Sequence, residues 1–181
     1  KADVRLPAAP DAVKADVPDW VAPSLEANFG EAWLAEAAAL ATRAPVDLRA
    51  NTLKADRAKV LKALSPFGPA PTPISPVGIR LSPGTGFSRG PNVTREEAYR
   101  KGWFEIQDEG SQVCALLVFP REKEKVLDYC AGAGGKTLAL SAALGNRGQV
   151  HAYDGDRGQL APIWERLKRA GTRNVQVHKP G

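Results

Sequence analysis

The last part of the chain most constrains the fold, because strand-forming and helix-forming segments alternate there around a glycine-rich turn. Short apolar strands are predicted at residues 126–127, 150–153 and 175–177. One helix is predicted over 136–144. A second helix has one apolar face, made of Leu160, Ile163, Trp164, Leu167 and Ala170, and Gly171 follows as a left-handed cap. This alternation predicts an α/β fold, the first half of a doubly wound, Rossmann-like parallel sheet.

The preceding residues are predicted to form two further regions. Residues 1–44 are expected to be a flexible lead-in, interrupted by prolines as far as residue 18, followed by helices that include 31–42. Residues 45–105 are expected to be a small α+β domain, with a strand at 46–53, a helix at 56–64 and extended structure at 74–81. Prolines and glycines over 65–91 favour short strands joined by turns. Residues 106–181 then begin with a helix capped by Asp108 and continue into the parallel sheet.

Composition limits the class of protein. No window offers the roughly 18 uninterrupted apolar residues of a membrane span, and two cysteines, Cys114 and Cys130, favour reduced thiols in a cytoplasmic protein. The net charge of +5 is concentrated near the end of the chain. Such a basic field attracts nucleic acid, although a solvated helix face explains it too, and the pattern leaves both open. The basic residues are Arg157, Arg166, Lys168, Arg169, Arg173 and Lys179, with only Glu165 opposing them.

The glycine turn over residues 128–137 is the most informative segment for function. It lies at the predicted carboxyl end of a strand and opens a helix, which is where α/β sheets bind ligands. Small residues allow close approach of the backbone to a ligand, and amides at a helix start offer hydrogen-bond donors. Asp154 ends the next strand, where a carboxylate can accept hydrogen bonds from ribose hydroxyls. Together these features predict a nucleoside-containing cofactor.

Three such cofactors compete for the turn, and residue spacing separates them. A phosphate-binding loop needs Gly or Ala where this chain has Cys130. A dinucleotide fingerprint that starts at Gly132 needs a third glycine where Thr137 stands. What remains is an acidic strand end at Asp128, a turn of small residues, and a second acid at Asp154. This arrangement favours S-adenosylmethionine.

Three separated motifs resemble those of one enzyme family. The turn has the pattern Asp128-x-Cys130-Ala131-x-x-Gly134-Gly135-Lys136-Thr137. The segments at 48–54, Leu-Arg-Ala-Asn-Thr-Leu-Lys, and at 107–112, Gln-Asp-Glu-Gly-Ser-Gln, precede it in the expected order. The chain from about Trp20 onward is therefore similar to NOL1/NOP2/Sun RNA (cytosine-5) methyltransferases. One departure is Ala133, where the family usually has proline, and this change restores an amide donor.

The resemblance implies roles for individual residues. The segment Cys130, Ala131, Gly132, Ala133, Gly134, Gly135 and Lys136 would bind the methionine and ribose portions of S-adenosylmethionine. Asp154 would bind the ribose, and Asp128 would orient the turn. For Lys136, a position near the cofactor's carboxylate is favoured over that of a solvated helix-start lysine. Residues 45–105 would be an RNA-binding type of domain, and residues 106–181 the N-terminal half of the cofactor-binding domain.

The implied reaction forms 5-methylcytosine in RNA, with small-subunit ribosomal RNA as the expected substrate. A cysteine thiolate adds to carbon 6 of the base, carbon 5 then attacks the methyl group, and a second cysteine assists product release. Both cysteines belong to family motifs expected beyond Gly181, so the chain as given is predicted to be inactive. Cys130 belongs to the turn, and Cys114 is interpreted as a small buried hydrophobe.

Other functions stay open beside this one. A non-catalytic RNA-binding or cofactor-binding module would use the same α+β region and basic helix without chemistry, and a nucleotide hydrolase would require tolerance of the Cys130 mismatch. His151 and His178 lie on strands without a set of metal-like partners, so they are interpreted as packing residues and no metal is predicted. A half sheet leaves an open edge and an uncovered apolar face, from which self-association is expected. The sequence does not predict an oligomeric state.

Overall fold

A computed structural model describes residues 9–84, 90 and 92–180. The chain divides into two compact units, Lys1–Ala44 and Pro45–Gly181. The described part of the first unit holds helices α1 (Asp11–Lys14), α2 (Ala22–Phe29) and α3 (Trp33–Leu40), with a 3₁₀ turn at Gly30–Ala32. Helix α3 confirms the helix predicted over 31–42.

Helix α1 was not predicted, because prolines were expected to exclude structure before Trp20. Pro10 is the N-cap residue of this helix, where its carbonyl accepts the N–H groups of Val13 and Lys14 at 3.0 Å and its own missing N–H is not needed. Asp11 and Lys14 then form an ion pair of 2.7 Å one turn apart. The rest of the predicted lead-in, residues 1–8, lies outside the described residues.

The second unit begins with a four-stranded antiparallel sheet, called here the small sheet. Its elements are β1 (Val46–Ala50), α4 (Arg57–Ala63), β2 (Ala70–Pro71), β3 (Gly78–Leu81), α5 (Glu97–Arg100) and β4 (Phe104–Ile106), with 3₁₀ turns at Ser65–Phe67 and Val93–Arg95. The strand order is β2-β3-β1-β4, and every neighbouring pair is antiparallel. A βαββαβ order with this arrangement confirms the predicted α+β unit.

Apolar residues at alternate or helical spacing form the core of the small sheet. Leu48, Val60, Leu64, Ile79 and Phe104 are completely buried. Helix α4 begins where predicted, since the side chain of its N-cap residue accepts a hydrogen bond from the backbone N–H three residues later. Residues 85–89 and 91 of the turn-rich segment lie outside the described residues.

Two predicted strands are shorter in the structure, and a side chain causes each shortening. The strand predicted over 46–53 ends at Ala50, because the Asn51 side-chain oxygen accepts a hydrogen bond from the backbone N–H of Leu53 and turns the chain. The extended segment predicted over 74–81 pairs only from Gly78. Before it, Glu109 accepts the N–H groups of Ile74 and Ser75 at 2.8 Å, which shapes a turn instead.

Helix α6 (Glu109–Leu116) connects the small sheet to a parallel sheet. The parallel sheet comprises β5 (Lys125–Asp128), α7 (Gly135–Ala143), β6 (Gln149–Tyr153), α8 (Arg157–Leu160), α9 (Ile163–Ala170) and β7 (Val175–His178). Its order is β5-β6-β7, with both neighbouring pairs parallel. The α/β prediction and the partial Rossmann-like sheet are thus confirmed.

The second predicted helix of the parallel sheet is divided in two. Ala161 and Pro162 separate α8 from α9, because proline lacks the N–H that a continuous helix would need. In α9, Ile163, Leu167 and Ala170 are buried, as predicted. The placement of Trp164 on that face was wrong, because Trp164 is 52% exposed. It lies about 100° around the helix from Ile163, the residue before it.

Strand β5 leaves an apolar surface exposed, with Leu127 60% accessible. Phe119, in the connection before it, is 75% accessible. This is the surface from which self-association is predicted. Among the helices of the described residues, none has the length and apolar character that crossing a membrane requires.

Candidate cofactor-binding turn

The turn between β5 and α7 is anchored by a short hydrogen bond across its ends. The Thr137 hydroxyl, which is fully buried, donates to Asp128 Oδ2 at 2.6 Å. Asp128 is the last residue of β5, and Thr137 lies in the first turn of α7. The bond therefore fixes the distance that the intervening residues must span. This agrees with the predicted orienting role of Asp128.

Asp154, which follows β6, contacts the same turn. Its Oδ2 accepts the Gly132 N–H at 2.8 Å, and its Oδ1 accepts the Asp156 N–H at 2.9 Å. Hydrogen bonds from the amides of Asp156 and Gly132 lower the pKa of the Asp154 carboxyl below its ordinary value. Because a carboxylate oxygen accepts more than one hydrogen bond, the ionised group retains acceptor capacity for a ligand hydroxyl.

Two glycines shape the turn for different reasons. Gly132 has φ of +49°, and a Cβ there would have its nearest heavy atom, Gln159 Oε1, at 3.9 Å. Gly134 has φ of +85° and is the N-cap of α7, where a Cβ would stand 2.5 Å from Ile163 Cγ1. A Cβ at Gly132 would thus meet one side-chain atom at an ordinary contact distance, whereas Gly134 is pressed against the core.

The start of α7 provides backbone donors at the end of the turn. The N-cap Gly134 makes no side-chain capping bond, and the first N–H groups of any helix lack intrahelical acceptors. Two further features lie in the same turn: the uncrowded position at Gly132, and the carboxylate of Asp154 that binds the Gly132 amide. Space, donors and acceptor together fit a ligand that carries both an anionic group and hydroxyls.

The structure brings the predicted site residues together on this turn. Ala131 is buried and its N–H donates to the Tyr153 carbonyl at 2.9 Å, which links the turn to β6. Cys130 and Lys136 are exposed at its two ends. The exposed position of Lys136 fits both a contact with the cofactor's carboxylate and a solvated lysine at the helix start. Its ligand role therefore stays a prediction.

The second cysteine differs from its prediction. Cys114 is exposed on α6 and is not a buried small hydrophobe. The buried face of α6 is instead formed by Glu109, Gln112 and Ala115, because polar side chains there bind the small sheet. The predicted cap of this helix is confirmed, with Asp108 accepting the N–H three residues on at 3.2 Å.

An aromatic pair lies beside the turn and was not identified in the sequence. Tyr129, directly after β5, stacks on Tyr153 at the end of β6, with ring centroids 5.1 Å apart and an interplanar angle of 29°. Tyr129 is 65% exposed. Parallel pairing of β5 with β6 places these rings together, a contact that only strand register could have indicated.

Charged side chains hold the outer side of the turn, and sequence reasoning missed this. Arg166 Nη1 donates to the Ala133 carbonyl at 2.8 Å, and Arg49 Nη1 donates to the Gly135 carbonyl at 3.0 Å. Arg166 and Arg169 both bind Glu105. The basic segment, for which nucleic-acid binding and a solvated helix face were both left open, is therefore partly neutralised inside the protein.

Two further features lie away from the turn. A cavity of about 170 Å³ lies between β1 and helices α6 and α7, lined largely by alanine and bordered by Arg49. On β6 and β7, His151 Nδ1 and His178 Nε2 are 2.9 Å apart, so these residues bind each other across the sheet. Within the described ranges, no group of three or more His, Cys, Asp or Glu side chains is placed to hold a metal ion.

Comparison with known families agrees with this geometry. The family model described as "Methyltr_RsmF/B-like, ferredoxin-like domain" matches residues 17–86. The model described as "16S rRNA methyltransferase RsmB/F" matches residues 115–180, which contain the turn. The chain belongs to the RsmB/F-like methyltransferase family. The resemblance to the NOL1/NOP2/Sun enzymes is thereby confirmed, and S-adenosylmethionine is the methyl donor of this family.

Two relatives align with 88% and 48% of this chain but with about a third or less of their own length. The "Probable ribosomal RNA small subunit methyltransferase B" of Synechocystis sp. is 29% identical over 163 residues, 88% of this chain and 35% of the relative. The "tRNA (cytosine(72)-C(5))-methyltransferase" of Pyrococcus horikoshii is 33% identical over 87 residues, 48% of this chain and 22% of the relative. The chain thus spans about a third or less of these two proteins.

A solved structure shares the arrangement of both sheets. The crystal structure described as a methyltransferase homolog protein from Pyrococcus horikoshii aligns with a TM-score of 0.78 and 25% identity. The alignment covers 93% of this chain and 54% of that one. This chain and that protein therefore share the order of a small antiparallel sheet followed by a parallel sheet.

Proposed function

We propose that this protein is the cofactor-binding part of an S-adenosylmethionine-dependent methyltransferase that forms 5-methylcytosine in RNA. The observation that carries the proposal is the contact of Asp154 with the Gly132 amide, which pairs a ribose-type acceptor with an open glycine turn at the ends of two parallel strands. Membership in the RsmB/F-like family supports the same reaction.

Different residues of the turn would bind different parts of the ligand. The Asp154 carboxylate would accept hydrogen bonds from the ribose hydroxyls, and the backbone from Cys130 to Lys136 would surround the methionine portion and the sulfur. The cation of Lys136 and the free amides of the α7 start would attract the ligand's carboxylate. The bound cofactor supplies an electrophilic methyl group. Asp128 and the Tyr129–Tyr153 pair would keep the rim of the turn in place.

Small-subunit ribosomal RNA is the substrate we propose. The relative from Synechocystis carries that activity in its name, while a second relative is named for transfer RNA, so RNA is the shared class. Residues 45–105 would contact RNA as a domain separate in role from the cofactor-binding half at 106–181. Among the basic residues near the end, Arg157, Lys168, Arg173 and Lys179 are exposed and remain available for a polyanion. Work on ribosomal RNA implies a cytoplasmic location.

Neither cysteine of this chain is proposed as the nucleophile. Cys130 lies in the turn that binds the methyl donor, and Cys114 lies on the exposed side of α6. The reaction needs a thiolate opposite the cofactor, in contact with the base. The 181-residue chain alone is therefore expected to bind cofactor without transferring its methyl group.

Calorimetric titration of the chain with S-adenosylmethionine tests the proposed site. Asp154→Asn should weaken binding about tenfold or more, because the variant loses a charged acceptor and presents an N–H₂ group toward the Gly132 amide. Asp56→Asn is the matched control, since Asp56 also accepts a backbone N–H, at 2.7 Å, but caps α4 in the small sheet. Equal binding by both variants, or no binding by the unmodified chain, would contradict the proposal.

A methyl-transfer assay tests the predicted inactivity of the chain, and binding measurements test the alternative of a non-catalytic module. Tritiated cofactor and ribosomal RNA should yield no labelled cytosine with the 181-residue chain. Labelled cytosine in this assay would show that one of its own cysteines acts. Tight RNA binding without any affinity for S-adenosylmethionine would favour the module.

A further inference from the structure

The carbonyl side of the glycine turn is held by two arginines from different parts of the fold. Arg166, on α9, donates to the Ala133 carbonyl at 2.8 Å. Arg49, on β1 of the small sheet, donates to the Gly135 carbonyl at 3.0 Å. The carbonyls on either side of Gly134 are thus bound to guanidinium groups. A charged donor makes a stronger and shorter hydrogen bond than a neutral one, so these contacts constrain the turn firmly.

Glu105 on β4 holds the arginine of α9 in position. Its side chain is 3% exposed, and its Oε2 accepts from Arg166 Nε at 3.2 Å and Nη2 at 3.1 Å. Arg169 Nη2 binds both oxygens of the same carboxylate, at 2.7 and 2.8 Å. Burial lowers the pKa of Arg49 to about 10, while the nearby Glu105 carboxylate raises it, so Arg49 remains charged near neutral pH. The small sheet therefore provides both the anion and one of the cations.

Holding a carbonyl also orients the next amide. The peptide unit is planar and trans, so the C=O of one residue points opposite to the N–H of the next. Arg166 thereby directs the Gly134 N–H, which closes the turn on the Ala131 carbonyl at 2.8 Å. Arg49 directs the Lys136 N–H, which lies at the start of α7. A hydrogen bond to the carbonyl also polarises the peptide and makes its N–H a better donor.

We propose that Glu105, Arg166 and Arg49 form a positioning network through which the small sheet sets the affinity of the turn for S-adenosylmethionine. This inference rests on the proposed function. None of the three side chains is assigned a contact with the cofactor. They act through the backbone carbonyls of Ala133 and Gly135.

The test compares two conservative variants that each weaken a guanidinium–carboxylate pair of the small sheet. Arg166→Lys keeps the charge but cannot bind Glu105 and the Ala133 carbonyl together, because lysine lacks the planar fork. Arg80→Lys is the matched control. Arg80 binds the buried Asp47 through two hydrogen bonds of 2.7 Å. Among the described residues, no hydrogen bond or ion pair joins Arg80 to residues 130–136.

Three quantities are measured for each variant: the melting temperature, the calorimetric Kd for S-adenosylmethionine, and hydrogen exchange of individual turn amides by NMR without ligand. Both variants should have a lower melting temperature than the unmodified protein. Arg166→Lys should raise Kd about tenfold and speed exchange at Gly134, whereas Arg80→Lys should keep Kd within about twofold and leave that exchange unchanged. A merely stabilising role for Arg166 would change the melting temperature alone.

The outcomes distinguish this inference from the proposed function. Unchanged Kd in Arg166→Lys, with normal binding by the unmodified protein, overturns the network and leaves the cofactor site intact. No binding by the unmodified protein overturns the cofactor site and the network with it. Unchanged exchange at Gly134 also overturns the network. If Arg166→Lys fails to fold, Arg166→Met supplies the same comparison, because it keeps an unbranched apolar stem without the guanidinium while Arg169 still neutralises Glu105.

Discussion

Substitution of the two left-handed glycines of the turn should separate folding from binding. A non-glycine residue in the left-handed region costs about 1–2 kcal/mol, and Gly132 and Gly134 both have positive φ, +49° and +85°. At Gly134 the new methyl would also stand 2.5 Å from Ile163 Cγ1. Overpacking of a core adds about 1–3 kcal/mol. We therefore expect a loss of about 2–5 kcal/mol for Gly134→Ala and about 1–2 kcal/mol for Gly132→Ala.

The assay is urea unfolding followed by tryptophan fluorescence, with the free energy extrapolated to water. Calorimetric titration with S-adenosylmethionine accompanies it, because Gly132→Ala should weaken binding more than its small loss of stability suggests. A double-mutant cycle tests the cause of the larger loss. In an Ile163→Ala background the methyl at 134 has room, so Gly134→Ala should then cost only what Gly132→Ala costs. Equal losses for the two single variants, or an unchanged cost in that background, would refute the steric argument.

Three other predictions concern polar groups. Asn51→Ala should lower stability by about 1–3 kcal/mol in urea unfolding, because Nδ2 binds two buried backbone carbonyls at 2.8 Å, whereas Asn28→Ala, on an exposed helix, should change it by less than about 0.5 kcal/mol. Thr137→Val should lower stability by about 1.5–3 kcal/mol through loss of the bond to a carboxylate, and an unchanged midpoint would disprove it. The Asp154 carboxyl has a lowered pKa in the folded state, so its contribution is complete above about pH 4, the unfolded value, and is lost as pH falls through the folded value. Acid unfolding of Asp154→Asn should therefore be less steep below pH about 4 than that of the unmodified protein.

The sequence predicted the parallel sheet and the cofactor turn because both depend on local patterns. Alternating strands and helices, and small residues between Asp128 and Thr137, are visible within a few dozen positions. Errors arose where tertiary contacts decide the outcome. Cys114 lies in an apolar run, but α6 buries polar side chains that bind the small sheet. Trp164 was assigned to the apolar face, but it follows Ile163 by one residue, about 100° around the helix, and lies outside the face that Ile163 and Leu167 bury.

No local sequence pattern indicates that Arg49 and Arg166 bind carbonyls of the glycine turn. Arg49 is separated from the carbonyl that it binds by 86 positions, and Arg166 by 33 positions from its own. In the sequence, Arg166 is one of six basic residues and carries no mark that distinguishes it from exposed Lys168. Burial against Glu105 creates the difference, and that burial depends on how β4 packs on α9.

Residues 45–86, which are part of the segment that the first family model matches, and residues 115–180, which the second model matches, lie in one compact unit, Pro45–Gly181. Polar contacts explain this union. Asn51 binds the carbonyl at the end of α9, Lys54 binds the Arg169 carbonyl at 2.6 Å, and a Cβ on Gly102 would stand 2.0 Å from that same carbonyl. Groups that must be dehydrated at such a junction keep their hydrogen bonds only while both sides are present. Removal of the small sheet would therefore expose the last carbonyls of α9, free the Gly135 carbonyl from Arg49 and leave Arg166 without Glu105, so the glycine turn depends on the small sheet as well as on α9.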